Sequence, residues 1–103
     1  MPKFLLEITA SGFDMDRDDF EVVLNRGEKV KTITKAEMPT DLYTVVENNI
    51  SIEKHHYYVC FDSAYFGPGM ITAVVNMWVP DNDFPGGRRK IVDKFEFYNN
   101  LPV

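Results

Sequence analysis

Three chemistries are missing from this sequence at the outset. There is one cysteine, Cys60, in 103 residues. That excludes an internal disulfide framework and a zinc cluster built from several thiolates. Basic residues are few, with 11 Lys and Arg against 16 Asp and Glu leaving a net charge of −5. A nucleic-acid partner is not expected, because phosphate binding needs a cationic face. No long apolar run occurs either. The longest, Met70 to Val79, is interrupted by Thr72 and Asn76 and is about half of the roughly 20 residues a bilayer span needs. The start, M-P-K-F-L-L-E, meets Glu7 too soon to hold a secretory apolar region. The expectation is a chain with no membrane partner and no signal peptide, assembled in a reducing cytoplasm with Cys60 as a buried, inert thiol.

Helical periodicity is also absent, and apolar residues alternate instead. With 45% hydrophobic and 26% charged residues, the composition is that of an ordinary globular chain, read here as one domain over 1–103. Phe4, Leu6 and Ile8 alternate with Leu5, Glu7 and Thr9, and Phe20, Val22 and Leu24 repeat the pattern. Val30–Thr34, flanked by lysines, suits an edge strand discouraged from pairing. Tyr43–Glu47 and Tyr57–Phe61 are two more β-rich runs. Ile71, Ala73, Val75, Met77 and Val79 make one unbroken apolar face, and Ile91, Phe95 and Phe97 share the inward side of the last run. Turn material separates these runs at Ser11–Gly12, Arg26–Gly27, Asn48–Asn49, Gly67–Pro68–Gly69 and Pro80–Gly87. Only Asp62–Phe66 could form a helical turn, capped by Asp62 or Ser63. The pattern predicts an all-β fold, an antiparallel immunoglobulin-like β-sandwich of about seven strands, with a small barrel as its rival.

Catalytic and metal chemistry find little purchase. Asp14, Asp16, Asp18 and Asp19 resemble the start of a calcium loop, but Asp19 stands where the loop needs glycine and Asn25 where it needs glutamate. A solvated acidic turn is the plainer reading. His55 and His56 are adjacent, so on a strand they point to opposite faces and cannot share a metal. Asp81 and Asp83 could divide acid and base roles, yet the Arg88, Arg89 and Lys90 that follow explain them as turn-capping and ion-pairing groups. No nucleophile elbow, phosphate loop or metalloprotease helix is present. The expectation is no enzyme, no catalytic residues, no cofactor and no metal.

The stretch from Phe61 to Val92 resembles a family of small sandwich domains in virion proteins of tailed phages and prophages, crAss-like phages included. These domains are similar to the N-terminal domain of the baseplate upper protein. Gly67 and Gly69 match the family's turn, and Pro80, Asp81, Asp83, Phe84, Pro85, Gly87 and Arg88 match its loop. Asp19–Leu24 resembles its early strand, and Gly86 departs from the usual Asp. In larger members the domain anchors a protein to the particle and a fibre or receptor-binding module follows. The resemblance therefore implies a free-standing accessory protein of the virion. An auxiliary (decoration) capsid protein bound to the major capsid protein, with head fibres as a further partner, fits that role. A baseplate or tail adaptor is the alternative, and a non-viral carbohydrate- or protein-binding module is the competing class. The interface candidates are Trp78, Asp81, Asp83, Phe84, Pro85, Arg88 and Arg89: an apolar anchor between prolines beside cations. Two alternatives stay open. Trp78, opposite the apolar face of its strand, lies in a covered sheet or on a contact surface, and Phe84 anchors a partner or plugs the end of the sandwich.

Overall fold

The computed structural model describes residues 1–100. Seven strands form: β1 (Lys3–Leu6), β2 (Phe20–Arg26), β3 (Lys29–Thr34), β4 (Thr40–Glu47), β5 (Ile50–Cys60), β6 (Gly69–Pro80) and β7 (Arg88–Asn99). They make two antiparallel sheets, one ordered β1-β5-β4 and the other β3-β2-β6-β7. The chain is a β-sandwich. Constant-type immunoglobulin domains also divide seven strands into four and three, but here the second strand lies between the third and the sixth.

Alternation in sequence becomes the core directly. Val22, Leu24, Ile71 and Ala73 are fully buried on the inner face of the four-stranded sheet, opposite Leu6, Tyr57 and Val59 of the three-stranded one. Glu21, Val23 and Asn25 point to the other side of β2, next to Asn76, Val74 and Thr72 of β6. The turns follow the expected residues. Asn48 and Asn49, at φ 51° and 63°, close the β4–β5 hairpin in the left-handed conformation that asparagine tolerates best after glycine.

The helical turn α1 (Ser63–Phe66) is capped by Asp62, whose carboxylate accepts from the Ala64 amide at 3.0 Å. It inserts Phe66 into the core and is tied to both neighbouring elements. Asn99 donates its amide to the carbonyls of Ser63 and Gly67 at 3.0 and 2.8 Å, and Arg26 donates to the Phe66 carbonyl at 3.1 Å. The Arg26 guanidinium fills the space a side chain at position 69 would need, since a Cβ on Gly69 would stand 2.5 Å from its Nε.

Two features depart from a compact sandwich. The β1 strand pairs only with Tyr57–Cys60 of β5, so the first half of β5 has β4 as its sole strand partner. Together these halves form a ribbon, with Leu42, Val46 and Ile50 each more than 60% exposed. The molecule measures 49 × 34 × 19 Å with a radius of gyration of 15.7 Å, against about 13 Å for a compact chain of this length. Sequence reading began the fifth strand at Tyr57. The alternation of Ile50–Glu53 is only four residues long and is lost at Lys54, His55 and His56, so it does not mark a strand.

The last strand is also less buried than its pattern suggests. Phe95 faces inward yet is 36% exposed, since β7 is an edge strand and the three-stranded sheet does not extend fully over it.

Candidate interaction surface

The loop joining β6 to β7 is a rigid turn. The Asp81 amide donates to the Gly87 carbonyl at 2.9 Å, Phe84 donates to Asp81 at 3.2 Å and Gly87 to Phe84 at 3.0 Å. The Asp81 carboxylate accepts from the Asp83 amide at 3.0 Å and holds Arg89 Nε at 3.1 Å. Pro85 starts a single 3-10 turn, and Gly86 follows at φ 83°, a left-handed conformation that glycine adopts without steric cost. Asp81 therefore spends its charge on its own turn and on Arg89, as an ion-pairing reading expects.

Phe84 is held outward. It is 48% exposed and lies outside the buried core cluster, so it does not plug the end of the sandwich. Trp78 lies on the outer face of β6, half-buried. Arg88 and Lys90, its neighbours on β7, lie over its ring at 5.8 and 6.0 Å from the centroid. No further layer covers this face among the described residues; the cover is the aliphatic stems of long cationic side chains. The interface candidates thus occupy one end of the four-stranded sheet, with Phe84 at the turn and Arg88 and Trp78 beside it.

A second arrangement was invisible in the sequence. His55 and His56 do point to opposite faces, and each meets an aspartate that also takes a tyrosine hydroxyl. On the inner side Asp16 Oδ1 accepts from Tyr57 at 2.8 Å and meets His55 Nδ1 at 3.2 Å. On the outer side Asp41 meets His56 Nδ1 at 2.8 Å and accepts from Tyr58 at 2.8 Å. Tyr43 stacks on His56, with centroids 4.0 Å apart and planes 8° from parallel. Burial raises the Asp16 carboxyl, but Tyr57 and His55 outweigh it and hold it below its ordinary value. The Tyr58 and His56 contacts lower Asp41. Burial, then the Asp16 hydrogen bond, push the Tyr57 phenol up to about 12. The only hint was the H-H-Y-Y run, in which alternation sends one His–Tyr pair to each face.

The acidic loop is the solvated turn expected from its composition at Asp14, Asp16 and Asp19, which are exposed, but not at Asp18. Asp18 is buried, held by both Arg17 Nε and Nη2 at 2.8 Å, and accepts from the Asp14 amide at 2.9 Å. Asp14 caps the Asp16 amide at 2.9 Å, and Lys35 donates to the Asp18 carbonyl at 2.8 Å. Each carboxylate is turned toward its own donor. No group of three or more His, Cys, Asp or Glu side chains converges as a metal site among the described residues.

Cys60 is half-buried, not buried as expected, because it ends β5 on the outer face opposite Lys3. It lines a groove of about 520 Å³ with Val30, Phe61, Tyr65 and Phe66.

No family model matches the chain, and neither a curated protein nor a solved structure is significantly similar to it.

Proposed function

We propose that this chain is a non-enzymatic structural protein of a tailed-phage virion. In this reading it is an auxiliary (decoration) capsid protein that adheres to the capsid lattice and offers a seat for fibre proteins. The observation that carries the proposal is the Pro80–Arg89 turn. It is the segment whose sequence resembles the phage sandwich domains, and it holds Phe84 half-exposed on a backbone locked by Pro85 and by Asp81. An aromatic anchor already ordered before contact loses little entropy on binding, and flanking cations favour an acidic rim on the partner. A baseplate or tail adaptor is the second reading, favoured because the resemblance is to a baseplate protein's domain.

Quantitative mass spectrometry of purified particles, normalised to the major capsid protein, tests the proposal. Hundreds of copies per particle indicate the shell, and about a dozen indicate the tail, as the symmetry of each dictates. Absence of the chain from particles overturns both readings.

A further inference from the structure

We infer that the free edge of β4 pairs antiparallel with β4 of a second copy, about a two-fold axis at Tyr43, and joins the two three-stranded sheets into one. Four strands end the two sheets. Sheet edges are normally guarded by short length, lysines, prolines, bulges or a charge on the inner face, and three of the four are guarded here. β1 is four residues long. β3 turns Lys29 and Lys31 to the same face as the buried Ile33. β7 carries four cations, sets Asp93 on the face it shares with Ile91 and Phe95, and has its Lys94 amide capped by Asp93 Oδ1 at 2.9 Å. β4, T-D-L-Y-T-V-V-E, has no base, proline or bulge. Its inner face is Thr40, Leu42, Thr44 and Val46, uncharged, with Leu42 61% and Val46 68% exposed.

The backbone phase of this edge fits its own copy. Tyr58 donates its amide to the Pro39 carbonyl at 2.9 Å, so the odd-numbered residues of β4 bond to β5. The amides and carbonyls of Thr40, Leu42, Thr44 and Val46 therefore point outward. With Tyr43 on the axis, Leu42 of one copy meets Thr44 of the other and Thr40 meets Val46, each pair exchanging both backbone hydrogen bonds. Every outward group of these four residues is then used. Tyr43 meets its own copy in a pair without hydrogen bonds, and Asp41 meets Val45. The Tyr43 ring stacks on His56 of β5, with centroids 4.0 Å apart, and so leans away from the axis.

Charge and length select this register over its neighbours. Centred on Thr44, the strands oppose Asp41 with Glu47 twice. Centred on Leu42 or Val45, five residues of each strand overlap; centred on Tyr43, seven overlap and no like charges face each other. Both acids are engaged within their own sheet, Asp41 by His56 and Tyr58, each at 2.8 Å, and Glu47 by Lys54 at 3.7 Å. Inner face continues inner face, so both sandwiches lie on one side of a six-stranded sheet. Such a contact is isologous and closes at the two-fold dimer, the commonest assembly of soluble chains. The dimer is expected whichever larger particle the chain joins.

Sedimentation velocity on the full chain, from about 1 to about 200 µM, reads the association. Wild type is expected to rise from monomer to dimer and no further. Thr44→Pro removes an outward amide and no bond to β5, the position at which an edge strand accepts proline, and is expected to weaken dimerisation about tenfold or more. Leu42→Lys puts a charge on the inner face of the edge and is expected to do the same. Cross-linking in a Cys60→Ser chain reads the register, because residues on the axis stand within disulfide reach. Tyr43→Cys is expected to give an oxidised dimer and Thr44→Cys, which faces Leu42, far less. A wild-type chain that stays monomeric throughout overturns the inference and leaves the edge to a strand of another protein. Growth beyond the dimer overturns it too. So does a dimer undiminished by Thr44→Pro and Leu42→Lys in folded variants, or one that cross-links better through Thr44→Cys than through Tyr43→Cys.

Discussion

The Tyr57 hydroxyl donates to Asp16 Oδ1 at 2.8 Å across 41 residues of sequence, and this one bond ties the loop after β1 to the middle of β5. His55 reinforces it twice, through its backbone amide to Oδ2 and its ring to Oδ1, each at 3.2 Å. The ribbon is thereby anchored to the body of the sandwich at the point where β1 stops covering β5.

Tyr57→Phe removes the donor and keeps the ring that packs edge-on against Phe20. The expected cost is about 1 kcal/mol. In the wild type, burial and Asp16 raise the phenol from 10.0 to about 12, so folding favours the protonated form. That contribution is complete below pH 10.0 and lost as pH rises toward about 12. Urea unfolding at pH 8 and pH 11 checks both points: the two proteins should differ at the lower pH and converge at the higher.

Asp18 governs the acid side. The Arg17 hydrogen bonds, opposed by burial, hold its carboxyl below the usual 3.8. A lowered folded value stabilises above pH 3.8 and is lost as pH falls through the folded value. Asp16 adds to the effect in the same direction. The thermal midpoint should be flat from neutral pH down to about 5 and drop steeply below 4. Asp18→Asn should lower the midpoint at pH 7 and flatten the drop, read by calorimetry across that range.

Core and edge should separate cleanly. Ile71 is fully buried, and Ile71→Ala is expected to cost about 2–5 kcal/mol in denaturant unfolding. Leu42, 61% exposed on β4, should change the stability of the monomer by no more than about 0.5 kcal/mol when replaced by alanine.

Phe84→Ala should leave the melting temperature nearly unchanged, because the ring lies outside the core cluster. Particles assembled with the variant should carry little of it compared with wild type, measured by mass spectrometry. Equal incorporation would remove the loop from the interface.

The legible parts of the fold were those where neighbours in sequence decide the outcome. The alternation of Ile71 to Val79 announced both the strand and its buried face, Asn48–Asn49 announced a turn, and Asp62 or Ser63 announced the cap on α1, which Asp62 supplies. Less was legible wherever the answer depended on a distant partner. Nothing near Asp18 reveals that Lys35, from the turn after β3, reaches back to its carbonyl. Nothing near Cys60 shows that it sits at an open groove and not in the core. The orientation of Phe84 is a local matter that composition still left open, because it depends on the backbone geometry with which Asp81 and Gly87 close the turn.

By itself the sequence determined that this is an antiparallel β protein, which residues share each strand face, and where the chain reverses. Those properties are set within a few residues, by the two-residue period of a strand and by the backbone freedom of Gly and Asn. Only the tertiary structure decided that β2 lies between β3 and β6, that β5 outruns β1 to leave a ribbon, and that β4 and β7 end their sheets. Strand neighbours are chosen by the joint burial of faces far apart in the chain, and so no local pattern records them.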